Sequence, residues 1–308
     1  MTTSSDPAGT PVARPSAVGA WWQAARPKTL LVSFSPVLVG TALAYAETGQ
    51  WMPWVAFVAL LAALLIQIGT NLHNDVADFE RGADTPDRLG PPRATAMGWL
   101  TPHSVRRAAW ACFAGAFLLG ILLVWRGGWP IVAVGLASLT AGWAYTGGPR
   151  PIAYSPFGEV FVLLFFGGCA VGGSYFLQAL DISPAALVAA SALGAFAAAV
   201  ISVNNTRDLG TDARVGKRTL AVRIGRRPMT AVYALELLVP FAVLPLLGGE
   251  GRGVLLALPA LAAVPALLLV RRFAVADTGQ GFNGLLADTA RLQAGYAVLL
   301  AVALVAAV

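Results

Sequence analysis

The sequence predicts an all-α membrane protein that crosses the bilayer many times, and three observations carry that prediction. First, 57% of the 308 residues are hydrophobic and 12% are charged, about half the charged share of a soluble domain, and the mean hydropathy is +0.70. Second, apolar stretches of roughly twenty residues recur along most of the chain, each long enough to cross a hydrocarbon core of about 30 Å. Third, strand-like alternation is absent, which argues against a β-barrel. The bilayer core offers the backbone no water, so apolar stretches of this length are helices.

The apolar pattern predicts nine spans, at approximately 29–46, 52–72, 104–125, 129–146, 158–179, 184–203, 229–247, 253–270 and 289–307. Residues 1–20 are rich in Ser, Pro and Ala and lack an apolar core. They predict a disordered tail rather than a signal peptide, ahead of one transmembrane domain over 21–308. With the N-terminus in the cytoplasm, the inner segments hold every Lys and Arg except Arg126 and Arg252. So lopsided a split predicts the orientation and an odd number of spans. It also explains the net charge of +6 as topology rather than as a nucleic-acid surface. The expected location is the cell membrane.

Function is expected on the inner face, where connections 73–103 and 204–228 are the longest polar ones. Long loops in a compact bundle are usually functional. The first holds Asn74-Asp75-x-x-Asp78, followed by Arg81 and Asp84. The second holds Asn204-x-x-Arg207-Asp208-x-x-x-Asp212, followed by Lys217 and Arg218. Each places Asn-x-x-x-Asp where an apolar span runs out. Residues four apart share a helical face, so Asn74 and Asp78 point one way, as do Asn204, Asp208 and Asp212. Clustered carboxylates repel unless a cation sits between them. Hard oxygen ligands suit Mg²⁺, with Mn²⁺ a second candidate, and Mg²⁺ typically shares a few carboxylates with substrate phosphates. The interleaved Arg81, Arg207, Lys217 and Arg218 suit phosphate oxygens.

Either loop alone also fits solvated or mutually paired charges; the matched pair on one face fits that reading poorly. Arg88, Arg93, Arg106, Arg107 and Asp87 read as loop or topology charges, Glu80 fits either role, and His73 and His103 read as structural. Cys112 and Cys169 lie in apolar segments without metal-ligand spacing. A third element, Tyr145-Thr-Gly-Gly-Pro-Arg150-Pro, forms a tight turn. It would bring Tyr145 and Arg150 to the face of the two loops, although a plain turn with an interfacial aromatic fits the spacing equally. Arg26-Pro-Lys28-Thr29 is a similar, weaker signal.

Together these segments resemble the UbiA-type intramembrane aromatic prenyltransferases, whose two aspartate-rich motifs look like Asn74-Asp75-x-x-Asp78 and Asn204-x-x-x-Asp208-x-x-x-Asp212. The similarity covers nearly the whole chain, from Arg26 onward. Asn71-Leu-x-Asn74-Asp75, Arg88-Leu-Gly-Pro-Pro-Arg93-Ala-Thr, Asn204-Asn205-x-Arg207-Asp208 and Gly216-Lys217-Arg218-Thr219-Leu-Ala-Val-Arg223 resemble the branch that prenylates 1,4-dihydroxy-2-naphthoate in menaquinone biosynthesis. The resemblance implies a nine-helix bundle with a lipid-open central cavity. It implies metal ligands among Asn74, Asp75, Asp78, Asp84, Asn204, Asp208 and Asp212. It implies a polyprenyl diphosphate held by Asn74, Arg81, Tyr145, Arg150, Asn204, Arg207, Lys217 and Arg218, with Asp78, Asp208, Asp212 and Lys217 central to catalysis. Many members carry a second carboxylate at the place of Gly82; here the next is Asp84. Related branches use 4-hydroxybenzoate or homogentisate as acceptor. The reading from a different class is a secondary transporter, for which Glu159 and Glu236 are the intramembrane charges.

Overall fold

The computed structural model describes residues 14–84, 88–248 and 254–308, which form helices and no strand. The elements are α1 (Ala17–Ala25), α2 (Pro27–Thr48), α3 (Pro53–Glu80), α4 (Pro102–Ala144), α5 (Gly158–Ala179), α6 (Pro184–Arg207), α7 (Leu209–Arg214), α8 (Leu220–Ile224), α9 (Arg226–Leu247), α10 (Ala257–Val275) and α11 (Gly279–Ala306). Among the described residues, eight of these are long and apolar enough to cross a membrane. Local chemistry marks their starts. Pro27, Pro53, Pro102 and Pro184 occupy first helical positions, where a missing N–H leaves no bond unmade. Thr101, Ser183 and Thr278 accept hydrogen bonds from Ser104, Ala186 and Gly281 backbone N–H groups, satisfying donors that the helix itself cannot.

Three sequence expectations change. The tail expected over residues 1–20 gives way to helix at Ala17, capped by Ser16. Ala20 and Ala24 bury against Leu72, Val76 and Trp99, which supplies the order; residues 1–13 lie outside those described. The first acidic motif belongs to the last turns of α3, not to a loop, because α3 continues to Glu80. The spans expected at 104–125 and 129–146 fall within the single 43-residue stretch α4. Straight, it would be about 65 Å long. It breaks at Gly128, with φ 62° and ψ −150°, a conformation open only to glycine. A methyl group added to Gly69 would lie 2.9 Å from Phe113 Cε1, and one added to Gly142 would lie 3.3 Å from the same atom. Phe113 and Gly142, from opposite sides of the break, thus meet at the same turn of α3. The chain doubles back at Gly128, flanked by the exposed Trp125 and Trp129.

The centre of the bundle is α6, packed against α2, α5, α9 and α11. Ala189, Ala192, Leu193, Phe196 and Ala199 are buried there with Tyr233 and Tyr296. Small residues let backbones approach closely. A methyl group on Gly167 would stand 2.3 Å from Ala190 O, and one on Gly194 would stand 2.6 Å from Leu163 O. At the end away from the acidic motifs, Gln178 Oε1 accepts from Met52 N at 2.8 Å and Arg126 donates to Leu177 O and Gln178 O. Arg126, one of the two cations expected outside the inner segments, therefore caps the end of α5. Overpacking a tight contact costs about 1–3 kcal/mol. Gly167→Ala is expected to lower the thermal midpoint of the detergent-solubilised protein. Gly168→Ala, next to it but facing open space, is expected to leave the midpoint unchanged.

Candidate active site

A cavity of about 680 Å³ runs through the bundle and is apolar along most of its wall. Its polar end is built from the last turns of α3 and α6, from α7, and from the segments that follow α1, α3 and α7. The helical period works as the sequence predicts: Asn74 and Asp78 line the cavity from α3, and Asn204, Asp208 and Asp212 line it from the α6–α7 junction. Asp78 and Asp212 are bridged by one ammonium. Lys217 Nζ lies 3.5 Å from Asp78 Oδ1 and 3.7 Å from Asp212 Oδ1, and 4.8 Å from the centroid of the Tyr154 ring. Asp78 also accepts from Arg93 Nη2 at 2.8 Å and from the Tyr154 hydroxyl at 3.2 Å.

The other predicted residues separate by role. Tyr145 lines the cavity. Arg207 does not line it; its guanidinium clasps Asp208 at 2.8 and 2.6 Å and reaches Asn204 Oδ1 and Asn283 Oδ1 at 2.8 Å each. It orients the second motif rather than facing a ligand. Arg81 is also turned away: it donates to Thr146 O and Gly148 O and ties α3 to the turn after α4. Arg150 and Arg218 are exposed and off the cavity. The Gly-Gly-Pro turn delivers Tyr145 to the site but carries Arg150 past it.

Asp75 and Asp84 also depart from expectation. Asp75 is buried and does not line the cavity; its carboxylate accepts from Ala94 N and Thr95 N at 3.1 Å each and from the Thr95 hydroxyl. It anchors the segment 88–95. Asp84 pairs with Arg88 at 2.9 Å and with Arg93 at 3.4 Å, so it stands behind the cavity wall. Glu80 pairs with Arg106 on the surface.

Arg88 and Arg93, read as loop charges, take the vacated places together with Arg26 of the weaker Arg26-Pro-Lys28-Thr29 signal. Arg26, Arg88 and Arg93 all line the polar end. Arg26 holds φ 54°, a left-handed backbone between α1 and Pro27, and such strain is common at functional sites. Arg26 Nη2 and Arg93 Nη1 are buried without hydrogen-bond partners, and Arg93 Nε has the 3.4 Å ion-pair contact with Asp84. Tyr154 was also missed. The available signals were the Arg-x-x-x-x-Arg spacing of 88–93 and the Ala-Thr pair that meets Asp75.

Electrostatics follow from this packing. Burial pushes the Asp212 carboxyl up to about 6, with Lys217 holding it down and the Asp208 and Asp78 charges pushing it further up. Burial also works on Asp208, but its Arg207 partner outweighs that and holds it below the usual range. Burial and then the neighbouring Arg93 bring Arg88 down to about 10. Burial and then Arg93 and Arg88 bring Arg26 to about 9. The polar end thus carries clustered positive charge that an anionic ligand would relieve. Among the described residues, no three His, Cys, Asp or Glu form a ready-made metal cage. Asp78, Asp208, Asp212, Asn74 and Asn204 do line one space; the Asn74 and Asn204 amide oxygens accept from the Thr146 hydroxyl and Arg207 Nη2, and the three carboxylates are the kind of donor that a hard divalent cation takes together with ligand oxygens.

The model of the UbiA prenyltransferase family matches residues 33–282. The chain belongs to that family. The 1,4-dihydroxy-2-naphthoate octaprenyltransferase of Escherichia coli (strain K12) is 40% identical over 220 residues, 67% of this chain and 68% of that one. The enzyme of the same description from Mycobacterium tuberculosis (strain ATCC 25618 / H37Rv) is 41% identical over 214 residues, 69% of this chain and 72% of that one. A UbiA homolog from Archaeoglobus fulgidus, solved bound to GPP and Mg²⁺, shares the fold with a TM-score of 0.66 at 15% identity, covering 93% of this chain and 99% of that chain. This UbiA-family chain is therefore a multi-pass membrane protein and an aromatic prenyltransferase, which sets aside the transporter reading.

The Asp75 geometry makes a prediction for this UbiA-family site. Its loss strands two backbone N–H groups, each costing about 1–3 kcal/mol when buried unpaired, and leaves the Thr95 hydroxyl only the Asp75 backbone carbonyl at 3.1 Å. Asp75→Ala is expected to lower thermal stability and to open the 88–95 segment to protease.

Proposed function

We propose that the chain transfers a polyprenyl group from polyprenyl diphosphate to 1,4-dihydroxy-2-naphthoate. Carboxylate and diphosphate are lost, and the product is a demethylmenaquinol for menaquinone biosynthesis. The observation that carries this reading is a long apolar cavity ending in one cluster of facing carboxylates and buried cations. Relatives of that description at 40% and 41% identity support the acceptor. The enzyme is read as one catalytic unit over 21–308 in the cell membrane, with the polar end in the cytoplasm, where the Lys and Arg concentrate. The reversal at Gly128 supports two crossings by α4, and nine crossings in all.

The residues divide the work by position. Asp78, Asp208 and Asp212, with Asn74 and Asn204, are the proposed holders of Mg²⁺, which when bound supplies charge neutralisation for a departing diphosphate. Lys217, Arg88, Arg93 and Arg26 bind phosphate oxygens; the unpartnered nitrogens of Arg26 and Arg93 are placed to do so. Arg207 and Tyr154 fix Asp208 and Asp78. As the allylic C–O bond breaks, electrons leave with the diphosphate, and the apolar wall of Val32, Phe161, Phe165 and Val200 keeps water from the allylic cation. The electron-rich ring attacks that cation, a proton leaves the attacked carbon to restore aromaticity, and the neighbouring carboxylate departs as carbon dioxide with a proton taking its place on the ring, so no net proton is gained or lost.

Removing a group that stabilises transition-state charge costs about 10²–10³ in rate. Asp78→Ala and Asp208→Ala are expected to lose at least that much prenyl transfer in proteoliposomes, and wild-type activity retained with Mg²⁺ would sink the metal assignment. Asp212 serves as a carboxylate, so kcat/KM is expected to fall as pH drops through about 6. Lys217 holds that value down, so Lys217→Met is expected to move the acid limb to higher pH. Membranes supplied with polyprenyl diphosphate and a panel of acceptors test the branch. Product from 4-hydroxybenzoate and none from 1,4-dihydroxy-2-naphthoate would overturn it.

A further inference from the structure

The cations and aspartates account for the charged end of the cavity. One polar pair beside it has no part in that work. Glu159 lies in the first turn of α5 and is 4% exposed. A carboxyl buried in a membrane helix is costly and is retained for function by default. Its Oε1 accepts from Asn205 Nδ2 at 2.9 Å, and its Oε2 is buried without a partner. Asn205 lines the cavity, whereas Glu159 does not.

We propose that Glu159 is a positioning residue that fixes the Asn205 carboxamide so that its oxygen forms an acceptor subsite for a ring hydroxyl of the aromatic substrate. This rests on the aromatic-acceptor reading above and names the group that would recognise that acceptor. A carboxamide has one accepting oxygen and one donating nitrogen. With the nitrogen committed to Glu159, the oxygen is left for the cavity, and among the described residues no donor meets it. Such an oxygen accepts an O–H and disfavours carboxylate or phosphate oxygens. It therefore selects the hydroxyl edge of the acceptor and does not serve the diphosphate.

The surroundings suit a planar ring. A methyl group on Gly158 would lie 3.9 Å from Asn205 Nδ2 and 4.0 Å from Tyr145 Oη, so the two side chains converge there. Tyr145 and Phe161 lie with ring centroids 6.1 Å apart, and Phe161 and Phe165 with theirs 4.5 Å apart. All three rings line the cavity, tilted by 31° and 37° from one to the next, giving an aromatic wall against which another ring can pack. The Asn205 carboxamide thus stands beside Tyr145, at one end of that row of rings.

The test measures KM for 1,4-dihydroxy-2-naphthoate and for polyprenyl diphosphate separately in the purified full-length enzyme. Asn205→Ala and Glu159→Ala are expected to raise the acceptor KM by about fivefold to tenfold, the worth of one neutral hydrogen bond. Glu159→Gln keeps an accepting oxygen for Asn205 Nδ2 and is expected to return the acceptor KM to within about twofold of wild type. The diphosphate KM stays unchanged in all three, which separates the role from general damage. As competitive inhibitors, 1-hydroxy-2-naphthoate and 4-hydroxy-2-naphthoate differ in affinity for the wild type, and Asn205→Ala brings them level. Equal rises in both KM values, Glu159→Gln as impaired as Glu159→Ala, or unchanged discrimination in Asn205→Ala would each overturn the proposal. If the wild type prenylates 4-hydroxybenzoate instead, the branch reading fails, and the same variants read with that acceptor and with benzoate still decide the subsite.

Discussion

The Lys217 ammonium between Asp78 and Asp212 is the interaction on which the rest of the site depends. Two acidic helix ends brought face to face repel, and the bundle closes around them only because cations intervene. Local backbone puts Lys217 there. Gly216 takes φ 78°, and Lys217 N donates back to Asp212 O at 2.9 Å, so the chain folds over its own motif. Arg218 N then donates to Tyr154 O at 2.9 Å. Tyr154 in turn carries Lys217 on its ring and gives its hydroxyl to Asp78. The ends of α3 and α7 and the turn after α4 therefore meet at one charge.

One ammonium shared by two carboxylates leaves them under-compensated, and Arg93 and Arg207 complete the balance differently. Each makes close ion pairs, Arg93 with Asp78 and Arg207 with Asp208. Asp212 keeps only the 3.7 Å contact with Lys217 among these, and it alone of the three is pushed toward neutrality at mild pH. The acidic cluster is thus graded, with two carboxylates held charged and one whose proton is lost readily to a stronger cation. Under the proposed function, that grading suits a site loaded by a divalent ion and a diphosphate together.

What could be read from the sequence follows from what is periodic. Asn74 with Asp78, and Asn204 with Asp208 and Asp212, were legible because a helix fixes which residues share a face. Asp75, one position from Asn74, belongs to another face and serves another purpose, and its adjacency in sequence misleads. Lys217 was named as well, but the arginines were illegible for the opposite reason. They sit in connections without a period, on long side chains, so charge and proximity in sequence do not tell Arg93 inside the site from Arg150 outside it. Arg81 and Arg207 show a further limit: each lies inside a motif, yet each spends its guanidinium on carbonyl, amide or carboxylate oxygens of the protein. The reversal at Gly128 was legible as a gap between two apolar runs.

The same helices that carry the polar groups also carry the apolar wall, and this links the two ends of any ligand. Along α3 the cavity lining runs from Asp78 back to Ala59, a rise of about 28 Å, close to the thickness of the hydrocarbon core. Gln178, Met52 and Arg126 tie the helices together at the far end. A ligand bound by its head at Asp78 therefore has its tail directed along the bundle by the helix that holds its head. The aromatic wall of Tyr145, Phe161 and Phe165 lines the same cavity and, under the proposed function, lies at the depth where the bond from head to tail breaks. Under the proposed function, the rigidity of α3 and α6 sets that depth, and the loop cations set only how firmly the head is held there.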